Sequence, residues 1–179
     1  FEYISAASQV APDVGLIVYN TYWTSMGVSD GMVSRLLDHP NVVGLKWSSP
    51  DGAIYGFERV VYEYADRLSV IDNQLLFVTS HMLGARSIEL HIANHWPQWG
   101  VRLWEQLEAG AYGDVQQHLM QVVMPFYQLW AEMERYTSGD GYLDKLCMEL
   151  VGLDSSRCRP PTRDVRTRFR DQVRQMLLQ

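Results

Sequence analysis

Gly15-Leu16-Ile17-Val18-Tyr19-Asn20 and Val42-Val43-Gly44-Leu45-Lys46-Trp47-Ser48-Ser49 are the two stretches that decide the fold. Each opens with an apolar run of strand length, and each run ends in one reactive side chain, Tyr19 in the first and Lys46 in the second. A lysine closing an apolar strand brings a charge to the rim of a dry interior, which is awkward for folding. It becomes useful when the amine is to lose its proton and attack a carbonyl. A tyrosine closing the neighbouring strand can carry protons for that attack.

Working outward, a third strand is expected at Leu68-Ser69-Val70-Ile71-Asp72 and a fourth at Ser87-Ile88-Glu89-Leu90-His91-Ile92. Between them the spacing predicts helices. One covers residues 1–10 and is broken by Pro12-Asp13; the next follows Ser29 as N-cap and is stopped by His39-Pro40-Asn41. Others are expected at 57–67 and at 74–83, the latter with Gly84 at its C-cap. Strands starting near residues 15, 42, 68 and 87 and alternating with helices make right-handed βαβ units and a parallel sheet, an α/β fold. Helices are then expected at about 97–109, 112–135, 140–151 and 163–178. In the fourth strand Ser87, Glu89 and His91 share one face and Ile88, Leu90 and Ile92 the other, because side chains alternate. One polar face suits a strand whose inner side meets a wet site, as at the mouth of a barrel.

With 179 residues, 47% of them hydrophobic, the chain can bury one good core. Net charge is −6 and no basic stripe runs through it, which argues against nucleic acid as a partner. Seven arginines from Arg157 to Arg174 crowd the C-terminal region, but Asp164 and Asp171 lie among them, as on a solvated amphipathic helix. No apolar stretch is long enough for a bilayer, and no secretory signal precedes the first strand, so no membrane is expected. Cys147 and Cys158 form no CxxC pair, which points away from a secreted scaffold and towards the cytoplasm. The opening Phe1-Glu2-Tyr3-Ile4 already reads as mid-helix, so the expectation is a piece of something longer.

The residues resemble the dihydrodipicolinate synthase and N-acetylneuraminate lyase family of pyruvate-handling enzymes. The resemblance rests on Tyr19-Asn20, on Gly44-Leu45-Lys46 with Ser48-Ser49, on Leu83-Gly84-Ala85, and on Ala93-Asn94 with Pro97. It extends into Tyr142-Leu143-Asp144-Lys145, Met148-Glu149-Leu150 and Arg159-Pro160-Pro161. It implies a (β/α)8 TIM barrel of which this chain supplies strands five to eight, residues 1–110, followed by a C-terminal helical region, residues 111–179. Four strands cannot close such a barrel, so the N-terminal half, with its carboxylate-binding loop, is expected to come from elsewhere. Relatives are homo-oligomers, dimers or tetramers, so the same is expected here.

The resemblance assigns the Schiff-base amine to Lys46 and the proton shuttle to Tyr19. Ser48, two residues beyond the lysine, is a candidate for binding a substrate hydroxyl. Glu89 stands where most relatives carry a small or apolar residue; it is read either as a carboxylate that binds or deprotonates substrate or as a rim carboxylate paired with an arginine. Asp72 stands where many relatives have glycine, and either sets substrate choice or ends the strand. His81, His91 and His95 make a poor metal set, and class I aldolases need none, so no cofactor is expected. The implied activity is a lyase or aldolase acting on pyruvate or another 2-oxo acid, with an aldehyde as possible second partner. A 2-keto-3-deoxy sugar acid dehydratase and a non-catalytic binding module are the alternatives. The loop Thr21-Tyr22-Trp23-Thr24-Ser25-Met26-Gly27 lacks the arginine that dihydrodipicolinate synthases place there, and Asp72-Asn73 does not reproduce the sugar-binding run of sialic acid lyases.

Overall fold

Four short strands lie side by side in one sheet, in chain order and all parallel. They are β1 (Leu16–Tyr19), β2 (Val42–Trp47), β3 (Ser69–Asp72) and β4 (Ser87–Ile88). The computed structural model describes residues 1–20, 28–47, 56–137, 141–154 and 158–178. The chain divides into two compact units, Phe1–Glu89 and Leu90–Gln179.

In the first unit the strands alternate with α1 (Glu2–Val10), α2 (Asp30–Leu36), α3 (Gly56–Tyr64) and α4 (Phe77–Leu83). The core forms where one face of the sheet meets these helices. Leu45, Trp47 and Val70 from the strands pack with Val33 and Leu36 of α2 and with Phe57, Val60 and Val61 of α3, all less than 2% exposed. Asn41 fixes the entry to β2: its side chain takes the Ser8 hydroxyl and donates to the Ala11 carbonyl at 3.0 Å and the Val14 carbonyl at 3.2 Å. The polar cluster expected to stop a helix thus also ties α1 to the sheet. Gly84 closes α4 at φ 115°, a backbone conformation that side chains with a Cβ resist.

Two elements differ from their expected extent. The helix expected at 74–83 starts later, at Phe77, after Leu75 adopts φ 60°. The fourth strand ends at Ile88 rather than Ile92, and the chain enters a 3-10 helix at His91–Asn94. Alternation over six residues is too short to separate a strand from a turn of 3-10 helix.

The second unit is helical: α5 (Pro97–Glu108), α6 (Tyr112–His118), α7 (Met124–Glu134), α8 (Tyr142–Leu150) and α9 (Arg166–Leu177). The single helix expected over 112–135 is continuous in direction of winding but contains a π turn, Leu119–Val123, between α6 and α7. Pro125 accounts for it. A proline ring clashes with the carbonyl four residues back, here that of Gln121, and a wider turn removes the clash. Arginines of the C-terminal segment are paired as a solvated helix requires. Arg166 bonds Glu149 at 3.0 Å and Asp164 at 2.9 Å, Arg170 bonds Glu149 at 2.6 Å, and Arg174 bonds Asp171 at 3.2 Å. Cys147 and Cys158 are both free thiols. Among the described residues, no helix is long and apolar enough to cross a membrane.

Phe57 is 1% exposed and stacks on Trp47 with ring centroids 6.4 Å apart. Phe57→Ala is expected to destabilise the protein by about 3–5 kcal/mol, measured by denaturant unfolding. A loss below about 1 kcal/mol would mean that this cluster is not the core.

Candidate functional site

The register of the sheet builds the site. Register partners in parallel strands share a face, since successive side chains alternate. Tyr19 pairs with Lys46, Lys46 with Ile71, and Ile71 with Ser87, so these four form one row across the sheet. The ladder continues one step past β4, because the Glu89 N–H donates to the Asp72 carbonyl at 3.0 Å. Glu89, two residues beyond Ser87, therefore returns to the same face. The row faces away from the helix-packed core; Tyr19 in it and Ile17 on the same face are 52% and 57% exposed.

This arrangement depends on a step in the pairing of β1 with β2. Leu16 pairs with Val42, but Ile17 pairs with Gly44, so Val43 has no partner. Skipping one residue changes which side chains meet for the rest of the pair. Gly44 leaves room for it: a Cβ there would lie 3.1 Å from the Ile17 side chain and 3.2 Å from the Ser69 carbonyl.

The structure brings Lys46, Tyr19 and Glu89 together. Lys46 Nζ lies 4.2 Å from the centre of the Tyr19 ring, over its face, and 3.8 Å from Glu89 Oε1. The side chains of Lys46 and Glu89 are 18% and 25% exposed, so the pair is sheltered without being cut off from solvent. An aromatic face and a carboxylate both suit a positive nitrogen. The rim-carboxylate reading of Glu89 named an arginine as its partner; the structure sets Lys46 3.8 Å from the carboxylate.

Asp72 is not brought to this group. It pairs with Trp47 and so belongs to the opposite, core-packed face. It is fully buried, and its carboxylate takes the Gln74 N–H at 2.7 Å and the Ser80 hydroxyl at 2.8 Å. Of its two expected roles, this geometry matches the one that ends the strand. Ser48 lies outside the described residues. His91 is not on the strand face but in the 3-10 helix, where its Nδ1 meets Asp144 Oδ2 at 2.7 Å. Among the described residues, no group of three or more His, Cys, Asp or Glu could hold a metal ion.

Three features were not read from the sequence, two of them near the ends of β1 and β2. The Asn20 N–H donates to the Lys46 carbonyl at 2.8 Å, and its side-chain oxygen takes the Val28 N–H at 2.9 Å. Trp47 Nε1 donates to the Val28 carbonyl at 3.0 Å. Both residues directly following the reactive pair thus hold the backbone of the same residue, Val28. The available signal was position alone, a buried-type amide and an indole immediately after the two strand-end residues. Third, the chain contains two lysines, Lys46 and Lys145. Cys147 is no competing nucleophile, because burial, and then the Asp144 charge, push its thiol up to about 12.

Comparisons with known proteins give the family and the fold. Residues 2–179 match the model of the Dihydrodipicolinate synthetase family, and the chain belongs to that family. Its α/β fold is part of the (β/α)8 barrel of that family. Among solved structures, a catalytic lysine mutant of the sialic acid aldolase of Ruminococcus gnavus superimposes with a TM-score of 0.79 at 17% identity, covering 99% of this chain and 58% of that one. The dihydrodipicolinate synthase of Oceanobacillus iheyensis gives 0.78 at 20% identity, covering 98% and 58%. The N-acetylneuraminate lyase of Proteus mirabilis gives 0.73 at 20% identity, covering 99% and 58%. No curated protein matches the chain. The chain thus spans about three fifths of the length of the structures it resembles, from 58% to 60%.

Burial raises the Asp72 carboxyl above its ordinary value of 3.8, outweighing the hydrogen bonds from Gln74 and Ser80 that lower it. A group that holds its proton more tightly in the folded chain stabilises the fold below its unfolded value and loses that contribution as pH rises through the folded one. Asp72→Asn keeps an acceptor for the Gln74 N–H and has no charge to bury. The stability of this variant relative to the parent is therefore expected to improve as pH rises from below 3.8 to neutral, measured by urea unfolding. A relative stability that stays flat or worsens over that range would contradict the burial account.

Proposed function

We propose that this chain carries the amine-bearing half of a class I lyase or aldolase, which binds pyruvate or another 2-oxo acid as a Schiff base on Lys46. The observation that carries the reading is the setting of Lys46 Nζ, sheltered at a strand end between the Tyr19 ring at 4.2 Å and Glu89 at 3.8 Å. The neutral amine adds to the ketone carbon, and loss of water gives an iminium that draws electrons from the adjacent bonds. The iminium, like the ammonium, is a cation. The same aromatic face and carboxylate suit both, so the site need not reorganise when one replaces the other. Support also comes from kinship, since the sialic acid aldolase superimposed above is described as having a catalytic lysine.

In this reading Tyr19 exchanges protons with the substrate oxygen through its hydroxyl, while its ring face holds the nitrogen. Glu89 binds the substrate from the opposite side, and Ser48 remains a candidate for a substrate hydroxyl. Asp72 is assigned to the fold. The exposed face of Ile17 and Tyr19 is where further strands of an eight-stranded barrel would pack. A dehydratase of 2-keto-3-deoxy sugar acids would use the same iminium. A binding module is the competing class, and it is favoured by one feature, the ion pair that holds Lys46.

Incubating the intact protein with pyruvate and reducing with borohydride is expected to add one reduced pyruvyl group, located by peptide mass mapping at Lys46. Lys46→Ala is expected to abolish it and Lys145→Ala to leave it. An unmodified parent protein, or an adduct on Lys145 alone, would favour the binding module. Tyr19→Phe is expected to keep the trapped adduct while slowing turnover by about 100-fold or more, the range of a lost acid–base group. Turnover equal to the parent's would remove Tyr19 from the proton path.

A further inference from the structure

We propose that Glu89 is the base that removes the C3 proton of the bound 2-oxo acid, converting the Lys46 iminium to an enamine. The inference rests on the Schiff-base reading above and adds a catalytic residue to it. A site that makes or breaks a carbon–carbon bond next to an iminium must move a proton or a carbon group at C3, and a proton there needs an acceptor.

The geometry around Lys46 Nζ separates the candidates. The nitrogen approaches Tyr19 over the ring face, 4.2 Å from its centre, whereas the phenolic hydroxyl lies at the ring edge. Glu89 Oε1 approaches the nitrogen itself, at 3.8 Å. That separation exceeds direct hydrogen-bond length, so the two form an ion pair and not a hydrogen bond. C3 of the adduct, joined to C2 and two bonds from Nζ, would stand beside the line between Nζ and Oε1, within reach of the carboxylate. Ile71 lies between Lys46 and Ser87 in the row and has no group that could accept a proton.

Glu89 is also held as a base should be. Its N–H is tied to the Asp72 carbonyl at 3.0 Å, and Asp72 is fixed in turn by Gln74 and Ser80. The buried Asp72 thereby anchors the backbone that presents Glu89, although its own side chain faces the other way. With its side chain 25% exposed, Glu89 can exchange a proton with solvent between turnovers.

The step balances without a co-reactant. The carboxylate takes a proton from C3; that C–H pair becomes the C2=C3 bond, and the C=N pair moves onto nitrogen. Neutral enamine and neutral carboxylic acid result. When the enamine adds to an aldehyde, the new alkoxide takes the proton from Glu89. When it is simply reprotonated, the proton or a solvent deuteron returns to C3.

The test is exchange of the pyruvate methyl protons in deuterium oxide, followed by proton NMR on the intact protein and divided by the fraction trapped with borohydride. The parent protein is expected to exchange, and Glu89→Gln to form the trapped adduct but exchange about 100-fold more slowly or worse. Exchange within about twofold of the parent at equal trapped fraction overturns the proposal and leaves the Schiff base standing. A parent protein that traps pyruvate without exchanging its methyl protons overturns it as well. A parent that traps nothing overturns the Schiff-base reading and this step with it. Should Glu89→Gln fail to fold by circular dichroism, Glu89→Asp decides the matter. It keeps the charge but withdraws the carboxylate by one methylene, and a displacement of about 1 Å at a reacting group costs on the order of 100-fold. An unchanged exchange rate in that variant overturns the proposal.

Discussion

One skipped residue in the pairing of β1 with β2 determines what this sheet presents. Were the register uninterrupted from Leu16 and Val42, Tyr19 would stand opposite Leu45, which is fully buried against the helices. Because Val43 is passed over, Tyr19 stands opposite Lys46 instead, on the face turned away from the core. Val43, left without a partner, is 46% exposed. A bulge of this kind costs one residue's pairing and redirects every side chain beyond it. The apolar half of each strand can then pack, while the reactive half gathers in one row.

The rest of the first unit holds that row in place from behind. Trp47 follows Lys46 and fills the core at full burial, so the lysine's strand cannot rotate without emptying it. Asn20 follows Tyr19, is 2% exposed, and ties the end of β1 to the Lys46 carbonyl and to Val28. Asp72 follows Ile71 and is locked to Ser80, and it carries the backbone of Glu89. Tyr19, Lys46 and Ile71 thus each have a neighbour in sequence that anchors the opposite face. Alternation along a strand makes this division of labour possible, with one residue packing and the next left free to meet a ligand.

Most of the secondary structure could be read directly, because apolar runs and helix periodicity are local signals. The strands at Leu16, Val42 and Ser69, the helix ending at Gly84, and the arginine-rich helix from Arg166 all stand where their patterns placed them. The pairing of Tyr19 with Lys46 was suggested by their strand-end positions, and kinship gave it a meaning. What could not be read was register and distance. Asp72 and Ile71 are adjacent in sequence but face opposite ways, and no pattern in Leu68–Asp72 says which one meets the lysine. The fourth strand's alternation continued past Ile88 only on paper, since the chain leaves the sheet for a 3-10 helix. His91, expected on the strand face, instead meets Asp144, far along the chain. The π turn at Leu119–Val123 did have a local cause in Pro125, four residues after Gln121.

The most direct test of the account is a crystal structure of the intact protein after reduction with pyruvate and borohydride. The account predicts unbroken density from Lys46 Nζ to the pyruvyl C2, with the Tyr19 ring against one side and the Glu89 carboxylate against the other. Strands β1 and β2 should be out of step at Val43. A sheet paired without that step, or a Lys46 amine free of adduct and directed away from both neighbours, would contradict it.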